Sequence, residues 1–208
     1  MPAEPPPRRL SMLRSLSLAD GFTVANAAAG TLSMFVCLQS LDGGGVPLSV
    51  AFALLPLAFA FDALDGRVAR WRRKASPLGG DLDSLADIIS FGVAPAVLGF
   101  TVGLRGGWDT LVLVYFVVCG VARLARYNVT AAALSDDSGK VKYFEGTPIP
   151  TSLVLVAVLA AAHAAGATHA ALWLGQLRLG PFELHPLVLM YAASGTAMVS
   201  ATLRIPKW

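Results

Sequence analysis

FDALDGRVARWRRKASPLGGDLDSLADIISFG, residues 61–92, joins the end of one apolar run to the start of the next. It holds two pairs of aspartates, Asp62 with Asp65 and Asp83 with Asp87. Positions three or four apart share a helix face. Each pair therefore converges on one side of its own helix, and the short basic connection makes the two helices antiparallel neighbours. Sixteen residues, 46–61, separate Asp62 from the far end of its run, and sixteen, 88–103, do the same for Asp87. At ~1.5 Å per residue both carboxylates lie ~24 Å from that far side. The acids thus face each other at one level, just inside one edge of a membrane.

The whole composition agrees with lipid as the solvent. Of 208 residues, 55% are hydrophobic and 14% charged, against about 25% charged in a soluble domain. The expected fold is all-α: a polytopic bundle of six transmembrane helices with a short N-terminal interfacial helix. The spans read as 19–41, 46–72, 81–103, 108–130, 149–166 and 184–203, each near the ~20 residues that cross ~30 Å of hydrocarbon. The fifth is lean and Ala-rich. Helices satisfy their own backbone groups in lipid, and no strand alternation competes. Residues 1–7 are Pro-rich and read as disordered. Residues 8–18 place Leu10, Leu13 and Leu16 among Arg8, Arg9 and Arg14, the pattern of an interfacial amphipathic helix or of a basic arm. The start does not read as a cleavable signal. The domain division is 1–18 for this arm and 19–208 for the transmembrane domain.

Net charge is +3, but the basic residues flank apolar runs, which argues for membrane topology and against nucleic-acid binding. Arg8, Arg9, Arg14, Arg72, Arg73, Lys74, Lys140, Lys142, Arg204 and Lys207 fall on one side, Arg105 and Arg178 on the other. That asymmetry places both termini, and the aspartates, at the cytoplasmic face of the cell membrane. Trp71, Trp108, Trp173 and Trp208 lie near helix ends as interfacial anchors. Cys37 and Cys119 sit inside apolar runs and read as buried thiols. His163, His169 and His185 read as structural or exposed, far from the acids.

Ionisable groups at membrane depth pair, face a polar cavity or bind ions. Hard divalent cations such as Mg²⁺ or Mn²⁺ prefer carboxylate oxygen and bring phosphate with them. Gly66 and Ala69 share the acidic face, and their small size lets a nucleotide approach the helix. Arg70 can then pair with a phosphate in a bidentate manner. Asp81, at the start of its helix, reads as a favourable partner for the helix dipole. The competing reading of the aspartates is a solvated polar hairpin.

The pattern Asp62-x-x-Asp65-Gly66-x-x-Ala69-Arg70, eight residues, then Gly79-x-x-x-Asp83-x-x-x-Asp87 resembles the signature of the CDP-alcohol phosphotransferases, with every fixed position present. The resemblance implies six helices, a homodimer and a site open to the cytoplasm. It implies that Asp62, Asp65 and Asp83 hold two divalent metals, Mg²⁺ or Mn²⁺. Asp87 would contact metal and act as the base on the acceptor hydroxyl. Gly66, Ala69 and Arg70 would contact the CDP portion. Thr23, Asn26 and Gly30 resemble a polar stripe that the family places near the nucleotide, although Asn26 also suits a helix-packing hydrogen bond.

SLADIISFGVAPA (84–96), ARLARYNV (122–129), YFEGTPIP (143–150) and VSATLRIPKW (199–208) resemble the bacterial and archaeal phosphatidylserine synthase branch. That resemblance implies CDP-diacylglycerol and L-serine as substrates and CMP as a product. Independently, Arg123 and Arg126 approach the depth of the carboxylates and share a face, where the diphosphate and the acceptor carboxylate need cations. The alternative is that both snorkel to headgroups. Tyr127, Asn128, Phe144 and Glu145 are candidates for the acceptor pocket. Other acceptors, glycerol 3-phosphate or an inositol phosphate, stay open. So do a transporter, because intramembrane acids also form proton relays, and a non-catalytic scaffold.

Overall fold

The computed structural model describes residues 17–72, 78–133, 143–200, 202 and 204–206. The expected interfacial helix lies, except for its last two residues, outside them. Helix α1 (Leu18–Leu41) begins at Ser17. The Ser17 hydroxyl accepts from the Asp20 amide at 3.2 Å, and the Asp20 carboxylate accepts from the Ser17 amide at 2.7 Å. This reciprocal cap satisfies two backbone donors that the first turn leaves unpaired. A turn through Gly43, at φ 72°, leads into α2 (Leu48–Arg72). The two helices pack along each other more extensively than any other pair described.

The third rod is continuous but changes winding. Helix α3 (Gly79–Asp87) runs into a π-turn (Ile88–Val93) and then α4 (Ala94–Val102). Pro95 gives the physical reason. Its nitrogen cannot donate to the Phe91 carbonyl, and its ring crowds that carbonyl. A wider turn just upstream relieves the clash. Helix α5 (Gly107–Ala133) follows, then α6 (Leu153–Ala164) after a 3₁₀ turn (Ile149–Ser152). Helix α7 (Leu189–Val199) follows a second 3₁₀ turn (Pro186–Val188).

Among the described residues, four helical segments are long and apolar enough to cross a membrane: Leu18–Leu41, Leu48–Val68, Gly79–Val102 and Gly107–Val129. The last two apolar helices, Ile149–Ala164 and Pro186–Val199, are shorter than expected. Gly166, at φ 70°, follows the end of the fifth. Residue 184 belongs to a strand, and Ser200 is extended beyond α7.

The expectation that no strand competes needs a small correction. Two short antiparallel ribbons form, β1 (Tyr143–Glu145) with β4 (Arg204–Pro206) and β2 (Leu177–Leu179) with β3 (Phe182–Leu184). The second follows from a local pattern. Leu-Arg-Leu and Phe-Glu-Leu alternate around Gly180, which turns at φ 64°. Arg178 pairs with Glu183 in register, and leucines with leucine and phenylalanine on either side.

The core lies among α1, α2, the third rod, α5, α6 and α7. Phe91, Leu98, Phe116, Leu55, Leu159 and Tyr191 are fully buried in it. The Tyr191 hydroxyl donates to the Pro95 carbonyl at 2.6 Å, and its ring meets Phe116 edge-on. Cys37 and Cys119 are free and buried, as expected. His163 stacks on Phe52. His185 and Asp109 form a buried pair at 2.6 Å that ties the start of α5 to the entry of α7. The outward sides of α1 and α5 remain apolar, with Phe35, Leu38, Val114 and Val118 more than half exposed. Such faces suit lipid.

Candidate active site

The two acidic helix ends meet as their spacing requires. Asp62, Asp83 and Asp87 each offer a carboxylate oxygen within 4.8 Å of the others. At an effective dielectric of ~20, two charges at that separation repel by about 3–4 kcal/mol. Three such pairs call for positive charge between them. Asp83 Oδ1 is buried and has no hydrogen-bond partner among the described residues. A small hard cation supplies what that oxygen lacks, so this donor set fits a divalent metal.

Asp65 neighbours this triplet and is oriented by the first helix. It is 7% exposed, and the Thr23 hydroxyl donates to its Oδ2 at 2.8 Å. Asn26 lies one turn further along α1 and is fully buried; its amide donates to Asp87 Oδ1 at 3.3 Å. The polar stripe expected near the nucleotide therefore touches the carboxylates themselves. Gly66 is half-buried and Arg67 exposed. Ala69 and Arg70 occupy the last turns of α2, and their side chains lie outside the described set.

Beside the triplet is a cavity of about 500 Å³. Asp83, Ser84 and Asp87 line it from α3, Arg123, Leu124, Tyr127 and Asn128 from α5, and Pro148, Ile149 and Pro150 from the entry to α6. Arg123 is half-buried, and its Nε has no hydrogen-bond partner among the described residues. Arg126 is exposed and outside the lining. Of the two arginines, Arg123 lines the cavity. Asp81 is exposed in the first turn of α3, where an acid suits the helix dipole, but it also borders the cavity.

The chain belongs to the CDP-alcohol phosphatidyltransferase family. That family's model matches residues 16–180. CDP-diacylglycerol–serine O-phosphatidyltransferase of Saccharomyces cerevisiae is 44% identical over 201 residues, 95% of this chain and 73% of the yeast protein. Archaetidylserine synthase of Methanothermobacter thermautotrophicus is 40% identical over 68% of this chain and 56% of its own length. CDP-diacylglycerol–serine O-phosphatidyltransferase of Mycobacterium leprae is 38% identical over 72% of this chain and 48% of its own length. The chain thus spans about half the length of the latter two.

Membership in this phosphatidyltransferase family gives the cavity a chemical setting, and some of its wall was not anticipated from sequence. The Ser84 hydroxyl donates to Asn128 Oδ1 at 3.1 Å and joins α3 to α5. Ser84 lies three before Asp87, on the same helix face, which is the signal that could have found it. Pro148–Pro150 had no comparable signal. Their position depends on Gly146, at φ 75°, where a side chain would strike the Met198 carbonyl. The next amide, Thr147, donates to the Ala197 carbonyl at 3.1 Å and satisfies the end of α7. Of the candidates for the acceptor pocket, Tyr127 and Asn128 line the cavity. Residues 143–145 are placed by the β1–β4 ribbon, but the side chains of Phe144 and Glu145 lie outside the described set.

Proposed function

We propose that this membrane enzyme transfers a phosphatidyl group from CDP-diacylglycerol to L-serine, giving phosphatidylserine and CMP. The observation that carries the reading is the shared cavity, where Asp83 and Asp87 meet the half-buried Arg123. The printed activities of the yeast and mycobacterial relatives support the same acceptor. Among the described lining residues, Arg123 alone carries positive charge. One guanidinium suits a single carboxylate.

Asp62, Asp65, Asp83 and Asp87 are the proposed holders of two divalent cations, Mg²⁺ or Mn²⁺, with Thr23 fixing the Asp65 carboxylate. When bound, these ions offset charge on the transferred phosphate and on departing CMP. Asp87 takes the proton from the serine hydroxyl. The serine oxygen then bonds to the phosphorus that bears diacylglycerol, and the bond from that phosphorus to the CMP oxygen breaks. Arg123 orients the serine carboxylate, with Arg126 in a secondary role nearer the surface. Gly66, Ala69 and Arg70 contact the CDP portion, as the family signature implies, and Thr23 and Asn26 border it. The finer architecture rests on the same footing: six spans, both termini cytoplasmic and a homodimer. Purified enzyme in nanodiscs, supplied with CDP-diacylglycerol and labelled acceptors, tests the reading. Serine should be incorporated, and glycerol 3-phosphate should not.

A further inference from the structure

The helix that carries Asp83 and Asp87 widens into its π-turn immediately after Asp87. Ser90 lies inside that turn, fully buried, and its hydroxyl donates to the backbone carbonyl of Asn26 at 2.9 Å. The Asn26 side chain in turn donates to Asp87. Gly30, one turn beyond Asn26, makes the approach of α1 feasible. A Cβ there would stand 2.8 Å from Ser90 Cα, too close for either helix to keep its place. A closed circuit results: Asp87 to the Asn26 amide, Asn26 carbonyl to Ser90, and Ser90 back to Asp87 along three residues of one rod.

We propose that Ser90 is a positioning residue for the reaction: through Asn26 it holds α1 in the register that aims the Asp87 carboxylate into the cavity. Ser90 is not among the residues that line the cavity, and its hydroxyl bonds to Asn26. Its hydroxyl occupies the Asn26 carbonyl, which lies 64 residues away in sequence. That bond fixes the backbone of Asn26 at the point where the side chain must reach Asp87. Asn26 makes its reach at 3.3 Å, near the long end for such a contact. A small slide of α1 therefore breaks it. The π-turn sets where Ser90 points relative to Asp87, so the widening caused by Pro95 has a consequence at the site.

This inference rests on the proposed role of Asp87, and its test separates the two. Ser90→Ala should lower kcat about tenfold, the effect expected for one lost buried hydrogen bond, with KM for CDP-diacylglycerol little changed. Asn26→Ala, which removes the amide and keeps the backbone carbonyl, should lower kcat at least as much. The double variant should be no slower than Asn26→Ala alone, because Ser90 acts through that amide. Mn²⁺ affinity, read by electron paramagnetic resonance on the purified proteins, provides the same cycle without turnover. Coupling in either readout supports the relay. Independent losses in both, or no loss with Ser90→Ala, overturn it. Should alanine prevent folding, Ser90→Cys fills the space with a weak donor and enters the same cycle. Wild-type turnover by Asp87→Asn, by contrast, removes Asp87 as base and leaves the Ser90–Asn26 coupling to be read in Mn²⁺ affinity.

Discussion

Thr23 donates to Asp65 at 2.8 Å across 42 residues of sequence, so the first helix fixes the orientation of one of the four signature aspartates. The acidic group is therefore built from three helical segments, with α1 supplying neutral donors and α2 and α3 the charges. Neutral donors orient a carboxylate without cancelling the charge that a cation needs. Thr23→Val should leave the fold intact and weaken Mn²⁺ binding about 10- to 100-fold, since it removes a hydrogen bond that orients a charged metal-ligand candidate. Titration followed by electron paramagnetic resonance measures this, and unchanged affinity would detach Thr23 from the site.

Asp87→Asn keeps size and removes basicity. Turnover should fall at least ~10²-fold, the low end for loss of a general base, while CDP-diacylglycerol still binds. Asp42→Asn, exposed beyond the end of α1, should match wild type. Steady-state kinetics with paired binding measurements distinguish a lost base from a lost substrate site.

Arg123→Ala should raise KM for serine by roughly 10-fold or more, because a charge-assisted hydrogen bond contributes about 1.5–3 kcal/mol. Arg126→Ala should do less, since Arg126 is exposed and outside the cavity lining. KM for CDP-diacylglycerol should move less than KM for serine in the Arg123 variant. The reverse pattern would assign Arg123 to the donor diphosphate.

Asp109 accepts from the amides of Gly106 and His185 and pairs with the His185 ring, all buried. Asp109→Ala leaves two backbone donors unpaired, at a cost of roughly 3 kcal/mol or more. The apparent thermal transition in detergent should drop on the order of 10 °C. Turnover per folded molecule should persist, since this pair lies apart from the acidic cluster.

Much of this site was legible because helical periodicity is local. The spacing of Asp62, Asp83 and Asp87 predicts their faces, and matched distances to the outer side predict their common depth. Thr23 and Asn26 stood out as a polar stripe, but their partners, Asp65 and Asp87, are set by how α1 crosses the other helices. Periodicity carries no such information. Pro95 lies inside the third expected helix, and nothing in the helical periodicity says that the turn upstream widens. The Leu-Arg-Leu and Phe-Glu-Leu ribbon was readable as a two-residue alternation around Gly180, yet six residues of it are easily lost in an apolar chain. That Arg123 faces a cavity closed by Pro148–Pro150 was not legible, because that wall is placed by Gly146 and the end of α7.

The central claim is that carboxylate-held metal and Asp87 drive phosphatidyl transfer to serine, and one measurement meets it directly. Purified enzyme in nanodiscs containing CDP-diacylglycerol is stripped with chelator, then given labelled L-serine or labelled glycerol 3-phosphate, with and without Mn²⁺. The account predicts no product without metal. With Mn²⁺ it predicts phosphatidylserine and CMP in equal amounts, and no lipid product from glycerol 3-phosphate. Full activity in excess chelator, or transfer to glycerol 3-phosphate with none to serine, would contradict it.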